Sequence, residues 1–329
     1  MARGLAEQAL QLAQRVQDAV HLVYAHVVMG NALFFLGELD GAYTQLEQSL
    51  ALYDPQQHRA RSFLGGEDLQ VFCFSHLAII LWELGYLDQA LQQSYEALRL
   101  ARALSHPYSL AVALISTAIL HYRRREGHMT HELAEAAVAL SSEHGFVLCL
   151  AEATSLWGWA LVVQGQAGVG IKQIQQGLAT ACTIGAEARQ PYKLALLAEA
   201  YRQVGQTAAG EQALVEALRL VNTNGGHPWE AELHRLRGEF LLARTADQHS
   251  AAETCFQLAL DVACNREAKS LALRAAMSLS QLWQRQGKRE EARQMLTESY
   301  GWFTEGFDTA DLQEAKTLLE ELSSPWPWP

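Results

Sequence analysis

The chain has 329 residues, a formal net charge of -11 and an isoelectric point near 5.5, so a basic surface for gripping nucleic acid is excluded. Half of it is hydrophobic but only 9% is aromatic, and 7 prolines are spread among Ala, Leu, Gln and Glu at helical spacing, a vocabulary of helices rather than strands. The five cysteines, Cys73, Cys149, Cys182, Cys255 and Cys264, have no metal-ligand spacing and read as reduced thiols of a cytoplasmic protein.

The N-terminus interrupts its apolar pattern with charges, unlike a secretory signal, and residues Arg3 to Val16 form one unpaired helix. The longest apolar run, Leu110 to Leu120, is too short to span a bilayer. From Ala19 onward the pattern breaks at regular turns: Gly37, Gly85, a point near Arg125, Gly165, Gly205, a point near Asp247, and Gly287. The spacing is close to 40 residues, with a longer first step of 48.

Small residues fall at fixed offsets from these turns. Gly30, Ala78, Ala118, Gly158, Ala198 and Ser280 precede their turns by seven residues, with Gly238 nearby in the sixth unit. Ala42, Ala90, Thr130, Gly170, Gly210, Ala252 and Ala292 follow by five. Helices cross closely only where at least one side chain is small, so these columns mark crossing points. The columns resemble the tetratricopeptide repeat, with a period nearer 40 than 34.

The expected fold is all-α, a right-handed α-solenoid of seven tetratricopeptide-like hairpins at about 19–53, 67–104, 107–145, 146–185, 189–224, 228–266 and 268–306. A capping helix at 309–322 completes one domain over 1–322, followed by a flexible tail at 323–329, SPWPWP with its preceding serine. The one interruption, Asp54 to Gly66, is a loop of the kind on which solenoids add function.

Motifs for chemistry fail on inspection. GQAGVGIK, from Gly165, has Ile171 where a phosphate loop needs lysine. His227 and His234 in HPWEAELH, and His128 and His131, lack the fixed geometry of a zinc set and read as structural or surface residues. Neither a nucleophile elbow nor a catalytic carboxylate pair is present, so no enzyme and no cofactor is expected.

Register then places side chains on the concave face. The candidate partner-binding residues are Tyr24, Asn31 and Phe34 in the first unit, Phe72 and Trp82 in the second, Tyr122 in the third and Trp159 in the fourth. Tyr192 and Arg202 follow in the fifth, Arg235 and Glu239 in the sixth, and Arg274 in the seventh. The first half of this face is apolar and aromatic; the second carries charges of both signs. Protein or peptide is the expected partner, with no nucleic acid and no membrane. The alternatives are that longer helices turn these positions into core, or that tighter curvature near Asp54 to Gly66 encloses a small molecule or short peptide.

Longer segments carry a more specific likeness: LALYDPQQHR, RQPYKLALLAEAYRQVGQ, HPWEAELHRLRGEFLLA and YGWFTEGFDTADLQEAKTLLEEL. They resemble the C-terminal repeat region of bacterial regulators that join a class III adenylate or guanylate cyclase to a STAND-type AAA ATPase. The resemblance implies a sensor or interaction arm, whose partners could include ATPase and cyclase domains of the same polypeptide. It supplies no catalytic residue, because those lie upstream of the repeats in that family.

Overall fold

The structure, a computed structural model, describes residues 2–56, 66–186, 188–224, 227–244 and 248–324. Among them are sixteen α-helices and one 3-10 turn, with no strand. Helix α1 (Ala2–Val16) packs against α2 (Ala19–Leu36), which pairs with α3 (Leu39–Leu52). Six more antiparallel pairs follow: α4 (Leu69–Leu84) with α5 (Leu87–Leu104), α6 (Pro107–Arg123) with α7 (Gly127–His144), and α8 (Val147–Val163) with α9 (Ala167–Thr183). Next come α10 (Gln190–Gln203) with α11 (Thr207–Asn224), α12 (Glu230–Arg244) with α13 (His249–Asn265), and α14 (Lys269–Arg285) with α15 (Arg289–Tyr300). Helix α16 (Ala310–Ser323) covers the last pair. The middle of the long loop, residues 57–65, the turn near Asp247 and tail residues 325–329 lie outside the described residues.

One turn chemistry recurs. At Gly37 the backbone enters the left-handed region at φ 77°, which lets the Glu38 N–H reach the Leu33 carbonyl at 3.0 Å and close a Schellman cap. The third hairpin repeats this geometry on Arg125 at φ 64°, with Glu126 N–H donating to the His121 carbonyl at 2.9 Å. A non-glycine there costs roughly 1 kcal/mol or more. The side chain offsets it: Arg125 Nη1 lies 2.6 Å from Glu314 and 3.4 Å from Asp311 on the capping helix.

The small-residue columns are contact points. A Cβ on Gly158 would lie 2.5 Å from the Gly170 carbonyl oxygen, so α8 and α9 touch backbone to backbone. Leu46, Leu77, Ile80, Leu120, Leu156, Ile174, Leu196 and Leu214 continue the same seam through successive pairs as one core. Helix α2 is apolar and long enough by composition to cross a membrane, yet it lies between α1 and α3 with half its residues buried.

The solenoid closes on itself. Ser270 Oγ on α14 donates to the Trp82 carbonyl at the end of α4, 2.5 Å away. Arg274 of the same helix donates to the Arg123 carbonyl, stacks over the Trp82 ring at 5.0 Å and pairs with Asp311 at 2.7 Å. A latch reinforces this seam: Glu305 accepts from the Asp88 and Gln89 N–H groups at 3.0 and 3.1 Å, and Gly306 N–H donates to Asp88 Oδ2 at 3.2 Å. The concave face therefore lines an interior. It is not an open groove.

Candidate ligand-binding cavities

A plug divides that interior. The 3-10 turn His227–Trp229 sends the Trp229 ring inward, 5.2 Å from Tyr192, 6.4 Å from Phe34 and 5.6 Å from the Arg123 guanidinium. Arg123 also covers Trp82 at 4.9 Å and ion-pairs with buried Glu83 at 2.6 Å. Phe34, Trp82 and Tyr192, expected to face a partner, are 3%, 2% and 4% exposed because the closed ring folds its aromatic inner face against the C-terminal hairpins. Here the core reading of these three positions fits the geometry, and it arises from closure of the ring as well as from helix length.

On one side of the plug is a polar cavity of about 350 Å³. It gathers six of the twelve residues singled out from the sequence, Tyr122, Trp159, Arg202, Arg235, Glu239 and Arg274, together with Glu199, Glu232, Arg125, Glu314, Met277 and Gln281. Glu199 sits at its floor, accepting from Tyr122 Oη and Trp159 Nε1, each at 2.8 Å. Burial pushes its carboxyl up, nearby Glu232 adds to that, and the two donors and Arg235 only partly oppose it. Arg235 is gripped by both oxygens of Glu232, at 2.9 and 2.6 Å, and lies 3.4 Å from Glu239, which also accepts from Ser278 Oγ at 2.8 Å. Burial works against the Arg235 charge, but Glu232 and Glu239 outweigh it and hold the guanidinium protonated. Arg202, at the exposed mouth, makes no ion pair among the described residues. The arrangement is a rigid array of directional donors and acceptors.

Beyond the plug lies a more apolar cavity of about 470 Å³, walled by α2, α4, α6, α8 and the turn before α10. Asn31 and Phe72 of the sequence-derived set line it, with Phe35, His76, Tyr108, Val112, Ile115 and Leu148. Phe72 and His76 stack at 3.8 Å. Burial drives the His76 pKa down to about 3, helped by the charge of Arg189, so the ring is neutral and its Nδ1–H donates to the Phe72 carbonyl at 3.1 Å. Glu67 also lines the cavity, and burial pushes its carboxyl up to about 7 against the opposing pull of Arg189. Glu152 on the wall is tied to the fully buried Lys193. The described ends of the Asp54 to Gly66 loop sit beside this cavity, stapled where Tyr53 Oη donates to Asp68 Oδ2 at 3.0 Å. Tyr24 lies outside both cavities, partly buried against the core.

The sequence offsets missed Glu67, Arg123, Arg125, Arg189, Trp229 and Glu314. Trp229 carried the one available signal, a tryptophan in a His-Pro-Trp turn just ahead of a helix.

Comparison with known proteins places this architecture. A Rap conjugation gene regulator of plasmid pLS20, solved in complex with the Phr* peptide, matches over 94% of this chain and 77% of its own with a TM-score of 0.60 at 11% identity. A Rap protein complexed with competence and sporulation factor matches over 97% and 92%, with a TM-score of 0.58 at 10% identity. The chain has a Rap-like tetratricopeptide fold. In sequence, the protein R02095 of Rhizobium meliloti (strain 1021), uncharacterized, is 25% identical over 250 residues. This chain spans 24% of that relative's length. No family model matches.

Proposed function

We propose that this chain is a non-enzymatic interaction and sensing module that receives a polar peptide segment in the cavity around Glu199, Arg202 and Arg235. The observation that carries the reading is convergence: helices from five successive hairpins each send a Tyr, Trp, Arg or Glu into one concave space. Such a site is preorganised, so binding sacrifices little side-chain freedom. Arg202 at its mouth calls for an acidic group on the partner, and Met277 and Val163 offer apolar contact beside it.

The peptide complexes of two similarly folded Rap proteins support a peptide as the occupant. The much longer relative supports only a setting within a larger polypeptide; that this polypeptide is a cytoplasmic signalling regulator with ATPase and cyclase domains rests on the sequence resemblance alone. Selection of peptides from a display library on the purified chain tests the reading. Selected sequences should be acidic, and Arg202→Ala and Gln281→Ala, both at exposed lining positions, should each weaken them by roughly tenfold, about 1.4 kcal/mol. Selection of no sequence above background, or of sequences indifferent to both variants, refutes it.

A further inference from the structure

The apolar cavity beyond the plug has a chemistry of its own. Arg189 reaches its wall from the start of α10, partly buried, and makes no hydrogen bond or ion pair among the described residues. A cation so placed is costly unless something compensates it. The two carboxylates on the same wall do so only in part. Glu152 gives one oxygen to Lys193 and has the other buried without a hydrogen bond among the described residues, and Glu67, although Arg189 acts on it, is still pushed up to about 7 by burial and carries only part of a charge at neutral pH. His76 is neutral. The cavity thus holds a guanidinium with no hydrogen-bonded counter-ion among the described residues and only partial compensation from Glu67, beside apolar walls, with the Asn31 amide also unbonded among the described residues. At its mouth Leu148 is 43% exposed, an apolar side chain left uncovered by the described residues.

We propose that this cavity binds a small monocarboxylate with an apolar body, its carboxylate on Arg189 and its hydrocarbon against Phe72, Val112, Ile115 and Leu148. A volume of about 470 Å³ lies within the range of small-molecule sites, roughly 300–1,000 Å³, and the site is separate from the polar cavity. Charge complementarity sets the head group; the wall composition sets the tail.

The test uses decanoate below its micelle concentration, with decanol and decylamine as matched neutral and cationic probes, read by titration calorimetry and by thermal shift on the full chain. Decanoate should bind one per chain and raise the melting temperature, with decanol at least tenfold weaker and decylamine weaker still. Arg189→Gln should bring decanoate down to the level of decanol. Val112→Trp, which puts an indole across the apolar wall and narrows the cavity, should weaken binding of both. Equal affinity for decanoate and decanol, preference for decylamine, or an unchanged Arg189→Gln would overturn the assignment. So would the absence of heat and of thermal shift up to about 1 mM decanoate, the weak end of specific binding. An apolar peptide with a free C-terminal carboxylate that outcompetes decanoate would overturn the small-molecule part. Should Val112→Trp fail to fold, the Arg189→Gln comparison decides alone.

Discussion

Removing the Glu83 carboxylate should destabilise the protein far more than removing the whole Glu83–Arg123 pair. Glu83 and Arg123 are 2% and 5% exposed, and the guanidinium lies 2.6 Å from the carboxylate. At an effective permittivity of about 20, unit charges that close attract by roughly 6 kcal/mol. Drawing each ion out of water costs several kcal/mol, so the two effects nearly cancel while the pair is intact. Glu83→Gln leaves the guanidinium unmatched between the Trp82 and Trp229 rings, whose π faces return about 2 kcal/mol at most. The expected loss is about 3 kcal/mol.

Arg123→Met keeps the packing but strands Glu83, whose carboxyl burial already pushes up despite Arg123. A protonated Glu83 carries no charge, so this cost should shrink as pH falls from 7 towards 5. The double variant should lie within about 1.5 kcal/mol of the parent, a coupling on the order of 3 kcal/mol. Urea denaturation followed by circular dichroism at 222 nm measures all four corners. Additivity within about 0.5 kcal/mol would show that the charges do not feel each other, and the account of the plug would fail.

Gly170→Ala should cost about 1–3 kcal/mol by the same assay, because a methyl group would drive into the Gly158 backbone; a cost below a few tenths would refute backbone contact between α8 and α9. Glu67, with a folded pKa of about 7 above its ordinary 4.5, favours the fold only when protonated. Stability should therefore decline as pH rises from about 4.5 to 7, by up to roughly 3 kcal/mol from this group, and Glu67→Gln should remove that share when urea curves at pH 5 and pH 8 are compared. Glu305→Ala uncaps two N–H groups at the start of α5, and hydrogen exchange at Asp88 and Gln89 should accelerate for a loss of about 1 kcal/mol; unchanged exchange would mean the latch contributes nothing.

The helical-repeat fold was legible because its determinants are local and periodic. Gly37, Gly85, Gly165, Gly205 and Gly287 sit where a left-handed residue ends a helix, and the small columns sit where helices cross. Arg125 shows the limit: the interval pointed to it, but its reason for not being glycine lies 186 residues away on Asp311 and 189 away on Glu314. The inner face was legible as a list of side chains, and six of them share one cavity. That Phe34, Trp82 and Tyr192 are shut in stood only as one of the readings left open, because ring closure depends on the small rotation each hairpin adds, summed from the second to the seventh. Arg189 and Glu67 were missed for a simpler reason. They stand in connections, where no repeat offset applies.

A chain of stacked hairpins joined only to its neighbours behaves like a coil spring, and tension on its ends is shared by every interface. Joining Trp82 to Ser270 and Asp88 to Gly306 turns the spring into a hoop. Tension between the second hairpin and the capping helix then falls first on one short seam. While that seam holds, the hairpins between are shielded; when it parts, they can extend in turn. The length of the protein under load is thereby set by a few polar contacts contributed by residues more than 180 positions apart.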